Sequence, residues 1–269
     1  MPNVSTDIAS TRSEPAADVL RLLSLNIQVG LNSSQYRHYV TQAWRHVLPS
    51  RGVRATLDAI AHLARDYDLV ALQEADAGSL RTSQLNQVEY LAARAGLGHW
   101  DAAVNRDLGP FAQHCLGCLS RAPLAHRSYH ALPGRLPGRG ALQTRIERAG
   151  YAPLSVFVVH LALSRGARSR QLAFLGELLE DAGDAVIVGD FNCQPPELEA
   201  HPVLQRRGVR ALNLGATFPS WRPQRAIDHL LHTPDVEIVA SRVLDLRLSD
   251  HLPIAAEIRL KSRARLHQA

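Results

Sequence analysis

Alternating apolar and polar segments along the chain predict strands interspersed with helices. Apolar runs of strand length predict buried strands over residues 19–27, 68–74 and 185–190. Apolar side chains at helical spacing predict helices over residues 36–48, 52–65, 83–96 and 167–183. Runs separated by Gly and Pro predict further strands over residues 99–104, 111–120, 126–132, 139–147, 152–164, 226–233, 236–243 and 252–260. No Pro-, Gly- or Ser-rich linker divides this series, so the pattern indicates one α/β domain.

The run VIVGDFNCQP, residues 186–195, ends a predicted buried strand with polar side chains. Gly189 permits a close backbone turn, and Asp190 and Asn192 follow where the strand gives way to a loop. Pro195-Pro196 predicts that no regular structure begins at once. Because Asp and Asn also favour ordinary turns, this stretch alone does not separate a capped turn from a functional site.

Acids, amides and imidazoles also lie at or beside other predicted strands. Asn26, Glu74 and His160 end strands, Asp228 lies inside one, and Asp250 and His251 stand just before the last one. Each alone has an ordinary explanation as a turn residue, a hydrogen-bonded core histidine or a solvated strand end. Together, and without a Ser or Cys nucleophile pattern, they predict a hard-cation site with acid–base groups. Attack of water on a phosphate ester is the chemistry that needs this set.

The order and the residues of these motifs resemble those of the endonuclease/exonuclease/phosphatase superfamily of metal-dependent phosphoesterases. The matching stretches lie between residues 22 and 256 and are LNIQVG, LQEAD, LSRAPL, VVHLAL, GDFNCQP, AIDHLL and SDHLPI. The resemblance implies an α/β fold, a four-layer αββα sandwich of two mixed β-sheets flanked by helices. We expect this domain to occupy residues 19–262, after a disordered polar tail over residues 1–18.

The resemblance also implies a metal site. Glu74 is expected to be the principal Mg²⁺ ligand, with Asn26 close by and Asp250 sharing the ion. Mn²⁺ is expected to substitute for Mg²⁺. Carboxylate and amide oxygens are the ligands that such hard cations prefer.

The remaining motif residues take catalytic roles by the same resemblance. Asp190 is the expected general base for the attacking water, and Asn192 and His160 are expected to hold phosphate oxygens. His251 is expected to contact the phosphate from the other side, oriented by Asp228. His229 is left out, because its side chain points away from that of its strand neighbour.

Two departures from the superfamily pattern bear on the substrate. Gln28 stands where the DNA-repair branch has an acid, and Cys115-Leu116 stands where many members have Gly-Asn. Both make a repair nuclease less favoured. The sequence therefore predicts a phosphodiesterase acting on a small or lipid-derived phosphodiester. A DNA or RNA nuclease is the alternative, and a catalytically inactive binding protein is the least favoured.

Composition adds little to this prediction. A hydrophobic content of 46% and a charged content of 20% are typical of a soluble globular protein, and no apolar stretch is long enough to span a bilayer. The N-terminus lacks a basic start and an apolar core, so a cytoplasmic location is expected. A net charge of +5 favours anionic partners. Lys261 is the only lysine, however, and a GC-rich genome explains an excess of Arg equally well.

Three local features have competing explanations. Cys115 and Cys118, three residues apart on a predicted strand, should face opposite sides and act as structural thiols rather than a zinc or redox pair. The Arg-rich stretch 121–148 either binds phosphate or forms a solvated strand face. The aromatic side chains of 36–48 either contact substrate or pack as an ordinary helix. The oligomeric state is not predicted.

Overall fold

Two six-stranded β-sheets lie face to face in the computed structural model, which describes residues 16–30, 51–134 and 138–263. The first sheet has the order β11-β12-β1-β2-β4-β3. Its strands are β1 (Val19–Asn26), β2 (Leu69–Asp76), β3 (His99–Asp107), β4 (Gln113–Ser120), β11 (Glu237–Val243) and β12 (Ile254–Arg259). The second sheet has the order β5-β6-β7-β8-β10-β9. Its strands are β5 (Leu124–Ala131), β6 (Gly140–Ile146), β7 (Leu154–His160), β8 (Ala185–Asp190), β9 (Arg210–Ala211) and β10 (Asp228–His232).

Each sheet is mixed in the same way, with one parallel pair among antiparallel neighbours. β1 pairs with β2 in parallel, and helix α1 (Arg51–Ala64) lies between them in the chain. β7 pairs with β8 in parallel, and helix α3 (Arg165–Leu178) lies between those two. A parallel pair needs such a crossover, because the chain must return to the same end of the sheet. The carboxyl ends of two strands from each sheet are thereby brought to a common edge.

The helices cover the two outer faces. Helix α1 and helix α2 (Gln87–Ala95) pack on the first sheet through side chains such as Leu57 and Leu91. Helix α3 packs on the second sheet, together with the short helices α4 (Pro195–Glu199) and α5 (Pro202–Arg206). A third cluster of buried side chains fills the space between the sheets. Three apolar layers between four structural layers confirm the predicted αββα sandwich.

Local sequence explains where two helices begin. Asn86 caps α2, and its side chain accepts hydrogen bonds from the backbone N–H groups of Val88 and Glu89, so the helix begins later than the predicted residue 83. The prediction that Pro195-Pro196 blocks regular structure is wrong, because α4 begins at Pro195. Proline is tolerated in the first turn of a helix, where its missing N–H would have no partner.

The two neighbouring cysteines lie on opposite faces of β4, as predicted. Cys118 belongs to the core between the sheets, and Cys115 belongs to the core under α1 and α2. Both thiols are free, and burial raises the pKa of each to about 12. The predicted helix over 36–48 and most of the predicted tail lie outside the described residues. Within the part of the chain that is described, no helix is long and apolar enough to cross a membrane.

Gly189 in β8 is a position where an added side chain would clash with the backbone of the neighbouring strand. Its φ is +145°, and a Cβ atom there would lie 2.1 Å from the carbonyl oxygen of Val159 on the paired strand β7. We predict that Gly189→Ala lowers the free energy of unfolding by about 3 kcal/mol or more, the upper part of the range for point mutations. Urea unfolding measures this loss.

Gly183 provides the matched control for that substitution. Its φ is also positive, at +65°, but a Cβ atom there would have nothing within 4 Å. Gly183→Ala should therefore cost only about 1 kcal/mol, from backbone conformation alone. Equal losses in the two variants would contradict the proposed clash.

Candidate active site

The eight predicted site residues converge because of the strand directions. Asn26 ends β1, Glu74 lies near the end of β2, His160 ends β7 and Asp190 ends β8. These are the carboxyl ends of the four parallel strands, two from each sheet. Functional side chains commonly collect at this edge of α/β proteins.

Antiparallel neighbours bring the remaining residues to the same edge. Asp228 begins β10 and pairs with Asp190 across the β8–β10 ladder. Asp250 and His251 lie in the turn before β12, which begins at Ile254 and whose first residue pairs with β1 near its end. The hydroxyl of Ser249 donates a hydrogen bond to the carbonyl oxygen of Asn26 at 2.6 Å, so this turn is fixed to β1.

Asp190 is the centre of the cluster. Its Oδ2 accepts a hydrogen bond from the Asn26 amide at 3.2 Å and lies 3.5 Å from His160 Nε2 and 4.0 Å from His251 Nε2. Its Oδ1 accepts from the backbone N–H of Asn192 at 2.9 Å. Burial, and then the charges of Asp228 and Glu74, raise the pKa of Asp190 to about 7 against the opposing effect of His251. A carboxylate in this range suits proton transfer near neutral pH.

His251 and Asp228 form a buried ion pair. His251 Nδ1 lies 2.8 Å and 3.1 Å from the two oxygens of the Asp228 carboxylate, which also accepts a hydrogen bond from the Thr217 hydroxyl. Burial disfavours the charged imidazole, but Asp228 outweighs it and the pKa of His251 rises to about 10. The Phe218 ring lies 4.9 Å from the His251 ring between centroids. His251 is therefore an oriented imidazolium.

His160 is held in the opposite protonation state. Burial, followed by the charge of Arg139, lowers the pKa of His160 to about 3. The Arg139 guanidinium contacts His160 Nε2, and a neutral ring with its proton on Nδ1 can accept that hydrogen bond. The positive charge beside Asp190 therefore belongs to Arg139 on this side and to His251 on the other.

Glu74 reaches the site through an irregularity in β2. Its φ is +54°, and the register between β2 and β4 shifts between Leu72 and Ala75. A bulge of this kind turns a side chain out of the regular alternation of a strand, and bulges are frequent beside active sites. The Glu74 carboxylate then lies 3.8 Å from His160 Nε2, with 30% of its side chain exposed.

A buried ion pair supports the chain on the far side of Glu74. Asp76 accepts hydrogen bonds from Arg81 Nε at 2.6 Å and from the hydroxyls of Ser79 and Thr82. Arg81 also contacts His114 Nε2 at 3.1 Å. Burial and the charge of Arg81 lower the pKa of His114 to about 4, so this ring is neutral. The network fixes the turn that follows Glu74.

The donor set fits a hard divalent ion. Oδ1 of buried Asp250 has no hydrogen-bond partner among the described residues, and Glu74 presents a partly exposed carboxylate. Burial, and then the charge of Glu74, raise the pKa of Asp250 to about 6, so a cation would relieve crowded negative charge. The Asn26 oxygen accepts from the Gln28 backbone N–H at 3.1 Å and keeps one lone pair.

A second group, Asp190, Asp228 and His251, has potential ligand atoms within 4.8 Å of one another. In that group His251 already forms an ion pair and hydrogen bonds with Asp228, so these two side chains are less free to bind a metal ion.

A cleft of about 760 Å³ opens from this cluster. Glu74, His160 and Arg139 line its inner end, and His114 lies beside them. Asn192 does not line the cleft, and its amide donates to the Leu161 carbonyl at 3.0 Å and keeps one hydrogen.

Sequence reasoning missed three contributors to the site. Arg139 was only one arginine among many in the 121–148 stretch, but β6 begins beside it and Gly140 pairs with His160. His114 and Arg81 carried no motif, and only the β2–β4 pairing brings them behind Glu74. The omission of His229 is consistent with its position, since its ring lies 2.8 Å from the Cys193 carbonyl oxygen, away from the site.

The four-layer sandwich and this edge cluster together define a phosphoesterase fold. The chain belongs to the endonuclease/exonuclease/phosphatase family, whose model matches residues 23–251. Within that region lie all eight of the predicted site residues.

Known proteins with related sequences or structures include both uncharacterised and characterised ones. The uncharacterized protein YbhP of Escherichia coli is 32% identical over 169 residues, which cover 56% of this chain and 65% of YbhP. The crystal structure of an endonuclease/exonuclease/phosphatase from Beutenbergia cavernae has a TM-score of 0.72 at 22% identity, covering 91% of this chain and 72% of that one. A mannosyl-6-phosphatase of Bacteroides thetaiotaomicron has a TM-score of 0.65 at 18% identity, covering 89% and 99%. These structural likenesses show the fold.

The buried pair of Asp76 and Arg81 generates a stability prediction. The side chains are 0% and 3% exposed, so replacing Arg81 leaves a buried carboxylate without its cation. We predict that Arg81→Met lowers the free energy of unfolding by about 3 kcal/mol, measured by urea unfolding. Arg94→Met is the control, because Arg94 pairs with Asp58 at the surface, where solvent screens the charges, and this variant should lose much less stability. Similar losses would show that the buried pair is not special.

Proposed function

We propose that this chain is a Mg²⁺-dependent hydrolase of phosphate esters, acting as a phosphodiesterase on a small or lipid-derived phosphodiester. The observation that carries the proposal is the environment of Asp190. A buried carboxylate lies between a cationic imidazole and a guanidinium, and beside His160, which lines a cleft large enough for a substrate. Such a site can accept a proton and bind negative charge at the same time.

Asp190 is the proposed general base. Its raised pKa gives it the basicity to take a proton from water, and the Asn26 amide and the Asn192 backbone N–H hold its oxygens in place. General-base catalysis requires a fixed acceptor within hydrogen-bonding reach of the nucleophile.

The charged groups around Asp190 are the proposed binding groups for the phosphate. His251 keeps one ring N–H directed toward Asp190 while Asp228 holds the other nitrogen, so the ring can donate to a phosphate oxygen. Arg139 supplies a second cationic donor, which His160 orients through its neutral ring. Donors fixed before the reaction stabilise the charge that develops on phosphate oxygens. Asn192 offers the remaining amide hydrogen.

Glu74, Asp250 and Asn26 are the proposed metal ligands. When bound there, Mg²⁺, or Mn²⁺ in its place, would neutralise phosphate charge and favour departure of the leaving oxygen. The unpartnered oxygen of Asp250 supports this assignment.

A nuclease acting on DNA or RNA is the second candidate. The net charge of +5 favours it, because a basic protein attracts polyanions. Gln28 weighs against the repair type, since its buried side chain occupies the place of an acid and cannot provide an anionic ligand. A substrate panel separates the two: bis(p-nitrophenyl) phosphate and phospholipid headgroup diesters on one side, plasmid and oligonucleotides on the other.

The base assignment predicts a specific kinetic defect. Asp190→Asn keeps the size of the side chain and removes the proton acceptor, so kcat should fall by at least ~10²-fold with little change in KM. Asp228→Asn should lower kcat less, because it acts through the orientation and charge of His251. The double variant should lose less than the product of the two single losses, since both residues serve one transition state.

Asp184→Asn is the control for those measurements. Asp184 precedes β8 at the opposite end and pairs with Lys261 at 3.0 Å, far along the strand from the site. Its kcat should stay within twofold of the unsubstituted protein. Unchanged kcat in Asp190→Asn, on any substrate that the protein cleaves, would refute the general-base assignment and leave the GDFN stretch as an ordinary turn.

The metal assignment predicts a binding defect that does not depend on turnover. Glu74→Gln and Asp250→Asn should each weaken Mn²⁺ binding by at least ~10-fold, followed by electron paramagnetic resonance of free Mn²⁺. Glu237→Gln, at an exposed position of β11, should leave binding unchanged. Full hydrolysis in EDTA, or undiminished Mn²⁺ binding by Glu74→Gln, would refute the assignment.

A further inference from the structure

The cleft is larger than the hydrolysis of one phosphate requires. Its volume of about 760 Å³ lies in the range of pockets that enclose a whole small ligand. Of the proposed catalytic and metal-binding residues, Glu74, His160 and Arg139 line it. The remaining lining residues include Asn105, Arg106, Leu163, Ser164, Ala167 and Arg170. Away from the catalytic end, the cleft therefore has features that the proposed reaction does not use.

Two arginines of this outer part have no carboxylate partner. Arg106 and Arg170 are both exposed, and no carboxylate of the described residues lies within ion-pair distance of either guanidinium. Arg168, two residues before Arg170 on the same helix, differs because its Nε and Nη2 donate to the two carboxylate oxygens of Glu197 at 2.8 Å. Among the described lining residues Glu74 is the only acid, and it lies at the catalytic end. The outer cleft thus carries uncompensated positive charge.

The side chain of Arg106 has a defined place in the cleft wall. Its aliphatic carbons pass so close to Gly138 that a Cβ atom on the glycine would lie 2.9 to 3.1 Å from them. Arg139, the proposed ligand of the scissile phosphate, follows Gly138 directly. The charges of Arg106 and Arg139 are close enough to repel each other. Arg106 is thus the outward neighbour of the catalytic arginine, and an anion beside it would relieve this repulsion.

Another part of the cleft wall is held by hydrogen bonds and is partly apolar. Gln171 accepts a hydrogen bond from the Ala162 backbone N–H at 2.9 Å and donates one to the Pro133 carbonyl at 3.2 Å. It therefore links the segment after β7 to the β5–β6 connection. Arg168 donates to the carbonyl of Leu163, whose own side chain is 74% exposed. Fixed walls with apolar surface suit a compact ligand better than an extended strand of nucleic acid.

We infer that the cleft binds a small phosphodiester that carries a second phosphate group, which Arg106 and Arg170 bind while Arg139 faces the scissile phosphate. This inference rests on the proposed function, since it names the substrate class of the same site. Guanidinium groups suit this task, because their planar donors match phosphate oxygens in pairs.

The test compares ligands that differ by one phosphate. Binding of fructose 6-phosphate and fructose 1,6-bisphosphate, and of thymidine 5′-phosphate and thymidine 3′,5′-bisphosphate, is measured by calorimetry in Mg²⁺. The full chain with Asp190→Asn is used, so that bound ligand is not consumed. The second phosphate should tighten binding by at least ~10-fold on one or both scaffolds, a typical gain for charge-assisted phosphate contacts.

Substitution of the two arginines should remove this gain. Arg106→Ala and Arg170→Ala should each reduce the preference for the bisphosphate to about threefold or less, while the affinity for the monophosphate changes little by comparison. Arg242→Ala on β11 is the matched control, because Arg242 is also exposed and lies outside the cleft lining. This control should keep the full preference.

Each other outcome overturns the inference in a recognisable way. Equal affinity for the monophosphate and the bisphosphate on both scaffolds, or no binding of either bisphosphate, would show that the cleft has no second phosphate site. Tighter binding of a short single-stranded oligonucleotide, lost in the same two Arg variants, assigns the arginines to a nucleic-acid strand instead. Failure of the unsubstituted protein to hydrolyse bis(p-nitrophenyl) phosphate and the rest of the substrate panel refutes the proposed function, and the binding preference is measured independently of it.

Discussion

The backbone hydrogen bonds across β7, β8 and β10 are the constraint on which the site depends. Their register places His160, Asp190 and Asp228 in one row at the edge of the second sheet. A shift of the strand pairing by one residue would turn every side chain of a strand to the other face of the sheet. Because apolar side chains are buried on both faces, their packing also fixes the position of this row. The close approach of Gly189 to Val159 is part of the same constraint.

This row places two carboxylates, Asp190 and Asp228, in the protein interior, and the surrounding groups must stabilise their negative charge. Burial disfavours ionised Asp190 and Asp250, and the charges of Glu74 and Asp228 raise the pKa of both further. His251 compensates from the first sheet, where the turn before β12 holds it, and Arg139 compensates from the second. The two sheets therefore contribute complementary charges, and neither contains a complete site. A divalent ion at Glu74 and Asp250 would continue the same compensation.

The sequence was sufficient for the fold class and for the identity of the clustered residues, because both depend on local patterns. Apolar runs mark the strands, and polar residues at their ends mark the edge where parallel strands finish. Arg139 could not be found in this way, since its place beside His160 follows from the β6–β7 register, which pairs residues far apart in the chain. Likewise, the left-handed conformation of Glu74 and the burial of Asp76 with Arg81 depend on a bulge between strands. Local composition carries no signal for either.

Most of the candidate site lies at the ends of central strands, whereas the outer cleft is built from peripheral elements. Asn26, His160 and Asp190 lie on the ends of central strands, where ladder hydrogen bonds hold the backbone and leave little freedom. The outer cleft is built from the β3–β4 hairpin, the β5–β6 connection and the start of α3, elements that can change without disturbing the row. A common catalytic edge with variable cleft walls explains how one fold can serve different phosphate esters. In this chain the walls carry arginines, so recognition of the substrate should depend on its charge beyond the reacting phosphate.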